Sequence, residues 1–372
     1  MVTIKPLDNN LLSKHATEQL GRPHFCSQGT KIPNYCFGTQ YLVGNEGLSC
    51  MSEEEQTLLD SLLLAQWEGG MWKGHFRYDV TASEIKIVGG RRKFLAQLND
   101  RNTVCSQYPE KSRICHQEDL HAFDLTKQCE ELLFCITNSD KANSELIPSA
   151  DVPNTAIFIM INVNPIEYGH IFLVPHGFDN LYLAKGGRMS RILEMVERIA
   201  IEINNFSFHL FYDYPGPTSS QLEFQACYFP ELLPVERMPV DLLFGDRCRR
   251  ISISTVLDYP IKTLIFESNC NFKILVEVLA ETISFLLDEG ISYNLMISDH
   301  GKKIFLFLQA QTFSSYCISA WECGGYFLFR SRQEFDQVTE ADLLKRLTSV
   351  SLDDESFVAV KQICCGIVSK TT

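Results

Sequence analysis

The chain has 372 residues, 45% of them hydrophobic and 21% charged, enough to bury a sizeable core in one large unit or two fused ones. Its 46 acidic residues against 33 basic ones leave a formal charge of −13, which disfavours nucleic acid and other polyanions as partners. A single nucleotide or sugar phosphate is not excluded, because it needs only a few local donors.

No apolar run approaches the roughly 18 residues of a membrane span, and the opening MVTIKPLDNNLLSKH lacks the apolar stretch and cleavage site of a secretory leader. These features predict no membrane partner and a cytoplasmic address, with the nucleus as the alternative. The 14 cysteines are scattered and form no CxxC pair, so they read as reduced thiols that largely fill the core.

Residues 1–50, with Pro23, Pro33 and weak periodicity, read as an irregular N-terminal arm that packs on the body. Ser52 and Glu55 form a capping box before Leu58, Leu59, Leu62, Leu63 and Trp67 at helical spacing. FRYDVTASEIKIVGG and RRKFLAQLND read as two strand-like runs about a Gly89-Gly90 turn, with Arg91-Arg92-Lys93 as a solvated tip. The polar stretch 137–154 reads as a loop, and AIFIMINV and IFLVP as buried strands about NPIEYGH. Trp67, Trp72 and the phenylalanines are expected in the core.

Ile192, Met195, Val196, Ile199 and Ile203 share one helical face. The strands FSFHLFY and QLEFQACYF follow, about a Pro-Gly-Pro turn. The order helix, strand, turn, strand recurs downstream: a helix over 271–288 ended by Gly290, then ISYNLMISD, a turn at His300-Gly301, and KIFLFLQ. Residues 340–366 read as helical. Together these elements predict an α+β fold, antiparallel sheets with flanking helices, and raise a duplicated unit as its organisation. The division expected is 51–240 for the first half and 241–372 for the second.

Four segments, FRYDVTASEIKI with FLAQLNDRN, INVNPIEYGHIFLVP, LEFQACYF with PVERMPV, and ISDHGKKIFL, give the chain a further reading. In order and spacing they resemble the GDP-L-galactose phosphorylases and the related GDP-D-glucose phosphorylases of the histidine-triad superfamily. The resemblance runs from about Leu58 to the region of Cys364. It implies a histidine-triad-like fold and GDP or a GDP-hexose as ligand. It also implies inorganic phosphate as co-substrate and a place in ascorbate biosynthesis, where GDP-L-galactose is cleaved to L-galactose 1-phosphate and GDP.

In that family an H-x-H-x-Q strand carries the chemistry. Alternate residues share a face, and the central imidazole attacks the α-phosphorus to form a nucleotidyl-histidine that phosphate resolves. Here the strand reads Gln221-Leu222-Glu223-Phe224-Gln225, so the final glutamine remains while Gln221 and Glu223 stand at the two histidine positions. An ionised Glu223 facing a phosphate would add repulsion on the order of 4 kcal/mol per charge pair at about 4 Å and an effective dielectric near 20. Transfer by the family mechanism is therefore expected to be lost. The rival readings are an active GDP-hexose phosphorylase or nucleotide hydrolase that uses another group, with Glu223 a candidate general base for water, and an interaction protein that dimerises or pairs with an active paralogue.

The resemblance also carries Arg77, Asn99 and Asn162 over as nucleotide-binding candidates, with Pro165 shaping the turn beside Asn162. Each has a plain structural alternative as a salt bridge, a strand-end cap or a turn residue. His170, in the GH-apolar-apolar-P strand, is placed beside the nucleotide by the same resemblance, as a structural histidine and not a substitute nucleophile. His300 reads as a surface turn. No His/Cys cluster has zinc-ligand spacing and no glycine-rich phosphate loop is present, so neither metal nor cofactor is expected.

Overall fold

The computed structural model describes residues 31–39, 56–99, 131–178, 187–215, 222–246, 251–268, 271–310 and 318–371. Two units with the same topology lie at its centre. The first runs β6 (Ala156–Ile161), β7 (Tyr168–His176), α2 (Gly187–Ile203), β8 (Phe208–Asp213) and β9 (Phe224–Tyr228). The second runs β11 (Ile251–Val256), β12 (Lys262–Ser268), α3 (Phe272–Asp288), β13 (Ser292–Ser298) and β14 (Lys303–Gln309). Within each unit the strands pair antiparallel in the same spatial order, β6-β7-β9-β8 and β11-β12-β14-β13. The units join where β8 pairs antiparallel with β13, through Phe211 opposite Met296. The recurring order in the sequence is thus matched in space, with α2 and α3 packed on the same face of the sheet.

Further strands extend this array to a 12-stranded sheet. β10 (Val240–Asp246) lies at one end, and β4 (Leu132–Asn138), β1 (Lys31–Phe37) and β5 (Glu145–Asp151) at the other. One face is covered by α1 (Leu58–Trp72), α2, α3 and α7 (Asp354–Thr371), with Leu63, Trp67, Val196, Ile199, Leu279, Ile283 and Val360 in a continuous core. Each large aliphatic side chain buried there contributes about 1.5–3 kcal/mol. The other face, over β8, β9 and the second unit, is covered by a small sheet of β2 (Glu84–Ile87), β3 (Leu95–Leu98) and β15 (Tyr326–Phe329). α4 (Ala320–Gly324), α5 (Arg332–Gln337) and α6 (Glu340–Val350) complete that layer. Among the described residues no helix is long and apolar enough to cross a membrane.

Several local expectations need correction. The arm is not irregular throughout: β1 lies within it, pairs parallel with β4 and antiparallel with β5, and its Tyr35 hydroxyl donates to Glu202 on α2 at 2.7 Å. The stretch 137–154 contains β5, an edge strand that is mostly exposed and so shows no apolar alternation. The Ser52–Glu55 capping box lies outside the described residues; α1 is capped by Thr57, whose side chain accepts from Asp60 N. Trp72 is 90% exposed, because it falls off the Leu59–Leu63–Trp67 stripe at the last residue of α1. FRYDVTASEIKI is extended only over β2, its earlier part being a turn that Asp79 caps. The Arg91-Arg92-Lys93 tip is docked: Arg91 pairs with Asp258 at 2.8 Å, and Arg92 donates to Asp258 O and Glu340. The helical stretch after 340 is two helices, α6 and α7, separated at Ser351.

One glycine of the NPIEYGH segment is required by packing. Gly169 has φ +69°, and a Cβ there would stand 2.4 Å from the Tyr228 ring. Tyr228 is itself fixed, its hydroxyl donating to the buried Asp60 of α1 at 2.7 Å. Left-handed backbone and a steric clash therefore act together against any side chain. Gly169→Ala is expected to lower unfolding free energy by at least about 2 kcal/mol, read as a drop in the urea midpoint at constant m-value.

Candidate functional site

Alternation along β9 separates two sets of side chains. Phe224, Ala226 and Tyr228 enter the core beneath α1 and α2, whereas Cys227 joins the opposite core. Glu223 and Gln225 share the face of Cys227, and Gln225 lies between Phe211 of β8 and Phe172 of β7. Gln221 lies outside the described residues.

Gln225 is held by His170. The Ile166 backbone N–H can only donate, and it lies 3.0 Å from His170 Nδ1, so that nitrogen carries the lone pair. Nε2 then carries the proton and donates to Gln225 Oε1 at 3.0 Å. With its oxygen engaged, Gln225 presents its amide N–H₂ to the open side, where it has no partner among the described residues. His170 is 1% exposed, and burial lowers its pKa to about 4 against a smaller opposing effect of the Gln225 bond. The imidazole is therefore neutral, with both nitrogens engaged. Asn162 closes the turn around it, Nδ2 lying 3.3 Å from His170 Nδ1 while Oδ1 accepts from Asn164 N at 2.9 Å. Trp67 Nε1 donates to the His170 carbonyl at 3.1 Å and anchors the strand to α1.

Glu223 stands at the mouth of the β8–β9 hairpin. Tyr212 pairs with Phe224, so the next step of the register sets Asp213 opposite Glu223. Burial first, and the Asp213 carboxylate second, push the Glu223 carboxyl up to about 7. Asp213 is held from the other side by Ala320 N–H of α4 at 2.6 Å. The expectation of a fixed anion at Glu223 is accordingly amended: near neutrality the group is only partly ionised, and in its acid form it can donate a hydrogen bond.

The remaining candidates are dispersed. Asn99 is buried at the end of β3, donating to the Tyr78 hydroxyl at 2.7 Å, and Tyr78 in turn donates to Pro165 O. It borders a cavity of about 260 Å³ also lined by Ser83, Glu84 and Arg332. Arg77 is exposed; its backbone N–H bonds Val163 O, and its guanidinium has no ion pair among the described residues. His170, Gln225 and Asn162 thus come together and Glu223 adjoins them, whereas Asn99 meets the turn through Tyr78 at Pro165 and Arg77 through its backbone at Val163. Sequence reasoning missed Asp213, an ordinary strand-end acid, and Trp321 of α4. The Trp321 ring lies 6.3 Å from that of His170 and 6.0 Å from that of Phe211.

A family model described as GDPGP1-like, N-terminal domain matches residues 58–227, and one described as GDPGP1-like, C-terminal domain matches residues 234–371. The chain belongs to the GDPGP1-like family. GDP-L-galactose phosphorylase 2 of Arabidopsis thaliana is 31% identical over 356 residues, 89% of this chain and 80% of the relative. GDP-D-glucose phosphorylase 1 of Homo sapiens is 24% identical over 350 residues, 83% of this chain and 85% of the relative. Among solved structures, the crystal structure of yeast Ap4A phosphorylase Apa2 in complex with AMP has a TM-score of 0.51. That match covers 81% of this chain and 98% of the other at 13% identity, which shows a shared fold alone. The GDPGP1-like chain thus has the histidine-triad-like α+β fold that its motifs predict.

His170 links this site to stability. Its folded pKa, about 4, lies below the unfolded value near 6.5, so the unfolded chain takes up the proton first as pH falls. The sign is destabilising: stability fully present above about pH 6.5 is lost progressively toward pH 4, to the extent of roughly 3 kcal/mol for this one group. Urea unfolding at pH 7 and pH 5 should show a smaller acid loss in His170→Gln than in the parent chain, even if the variant is weaker at pH 7.

Proposed function

We propose that this chain binds GDP-hexoses on the scaffold of its family without phosphorolysing them, and acts by binding or regulation. One observation carries the reading. The row facing the open side of β9 has Glu223 where the resemblance places the attacking imidazole. The neighbouring imidazole, His170, is sealed from solvent with both nitrogens engaged. Gln225 supports the binding half, because His170 turns its amide donors outward, as a phosphoryl oxygen requires.

Purified protein incubated with GDP-L-galactose or GDP-D-glucose and phosphate should yield neither GDP nor hexose 1-phosphate, while calorimetry registers binding of the intact nucleotide sugar. Gln221→His/Glu223→His should restore turnover. Phosphorolysis by the parent chain, abolished by Gln225→Ala, would sink the reading.

A second reading draws on a different observation. A carboxyl near pH 7 is suitably poised to act as a general base toward water. Glu223 would take a proton from water as the oxygen bonds to the α-phosphorus and the bond from that phosphorus to the bridging oxygen breaks. The products are GMP and hexose 1-phosphate, formed without added phosphate. Mass spectrometry separates this from phosphorolysis, whose nucleotide product is GDP.

The Glu223 titration gives binding a direction in pH. Below about pH 7 the group takes a proton, the charge opposing the diphosphate is removed, and affinity rises. GDP-hexose affinity should increase up to about tenfold from pH 8 to pH 6, following the neutral fraction of Glu223. Glu223→Gln should bind tightly at both pH values, and a pH dependence that survives in that variant would exclude Glu223 as its source.

A further inference from the structure

Trp321 has no part in the family motif, yet it occupies the rim of the same site. Two contacts bring it there. Ala320 N–H bonds Asp213, which stands opposite Glu223 in the β8–β9 register, so the first turn of α4 is fastened beside the carboxyl pair. The indole then meets His170 and Phe211 edge-to-face, at interplanar angles of 77° and 82°. His170 is the residue bonded to Gln225, and Phe211 is its partner across the ladder. Trp321 therefore lies against both residues that flank the outward-facing amide, and it remains partly exposed.

Packing alone does not account for that position. The apolar core of this layer closes around Phe211, Cys227, Phe229 and Met296, with Trp321 packed at its margin. The polar groups that share its rim, the Gln225 amide and the Glu223 carboxyl, make no other hydrogen bond from their open sides among the described residues. An aromatic surface beside a few convergent polar groups is the composition of a small-molecule site. Two rings already flank the indole, and the residue is only partly exposed. The part of the indole face left open suits the C–H ridge of a sugar ring, whose weakly positive hydrogens are attracted to the π-cloud while its hydroxyls donate to carboxylates.

We propose that Trp321 is a ligand-contacting residue of this site and forms the wall against which the hexose of a GDP-hexose packs. The inference rests on the GDP-hexose reading above. It adds a specificity determinant on α4, a helix of the C-terminal half, to a phosphate-facing row on β9. Hexose selectivity then depends on both halves of the chain.

Calorimetric titration of the full chain with GDP-D-glucose, GDP-L-galactose, hexose 1-phosphate and GMP, beside Trp321→Ala and Trp321→Phe, tests it. Trp321→Ala should weaken both GDP-hexoses by roughly tenfold and leave GMP within about twofold, with Trp321→Phe intermediate. Ligand-induced change in tryptophan fluorescence should be present with hexose 1-phosphate and absent in Trp321→Phe. That readout does not depend on the alanine variant folding, and Trp67 and Trp72 remain as internal controls. Equal losses for GMP and GDP-hexose would place the indole on the nucleoside and overturn the hexose assignment. Unchanged affinities and fluorescence in both variants would overturn the contact altogether. A parent chain that binds no GDP-hexose would instead defeat the functional reading on which the inference stands, a result visible before any variant is made.

Discussion

Period-two alternation along β9 is the constraint from which the rest follows. One set of side chains, Phe224, Ala226 and Tyr228, is committed to the core under α1 and α2. The intervening set, Glu223 and Gln225, faces the other way and belongs to neither apolar cluster. A slip of one residue would exchange the two sets, burying a carboxyl and an amide among aliphatic side chains and expelling an aromatic ring. The register is therefore held by burial, and the chemistry of the outward row is free to vary within it. A side chain of different chemistry on that row alters what the row can do without asking anything of the core.

His170 fixes the orientation of the row's amide. Its strand is tied to α1 through Trp67, and its ring is locked by the Ile166 N–H, so the tautomer is set by backbone geometry and not by solution pH. That lock decides which end of the Gln225 amide faces outward. An exposed imidazole could exchange tautomers and protonate; a buried one with a low pKa cannot, which makes it a poor nucleophile and a good orienting group. Glu223 is in the opposite situation. It lies at a hairpin mouth with a second acid across the ladder, and the proton it gains near neutrality relieves repulsion that the β8–β9 register imposes. Two titratable groups on adjacent strands are thus driven to neutrality by the same cause, burial, with opposite signs of pKa shift.

The parts of the fold legible in the sequence were those whose own neighbours define them. α1, α2 and α3 carry apolar stripes, and β6, β7, β8 and β9 are apolar runs bounded by turn residues, so periodicity and punctuation suffice. β1 was invisible because Pro33 and Asn34 interrupt its pattern and its partner strands lie about a hundred residues away. β5 was invisible because an exposed edge strand needs no apolar face. Glu223, Gln225 and His170 could be named from motif order, but the bond between His170 and Gln225 depends on a ladder formed across more than 50 residues. Asp213 and Trp321 carry no local signal. They matter only because β8 pairs with β9 and α4 docks on the end of β8, and no window of sequence contains both partners.

Repetition of the unit brings out an asymmetry between its two copies. The two ββαββ units share strand order and pairing, and β14 occupies in the second unit the place of β9 in the first. On the face where β9 presents Glu223 and Gln225, β14 presents Phe305 and Phe307, both buried beneath the small sheet. The same architectural position is thus filled with apolar side chains in one half and left polar and open in the other. Closure of the second half by β3, β15 and α6 gives that layer its core, and α4 is held at its edge with Trp321 directed to the open row of the first. One copy of the unit is thereby closed beneath the small sheet, and the other keeps its polar row accessible.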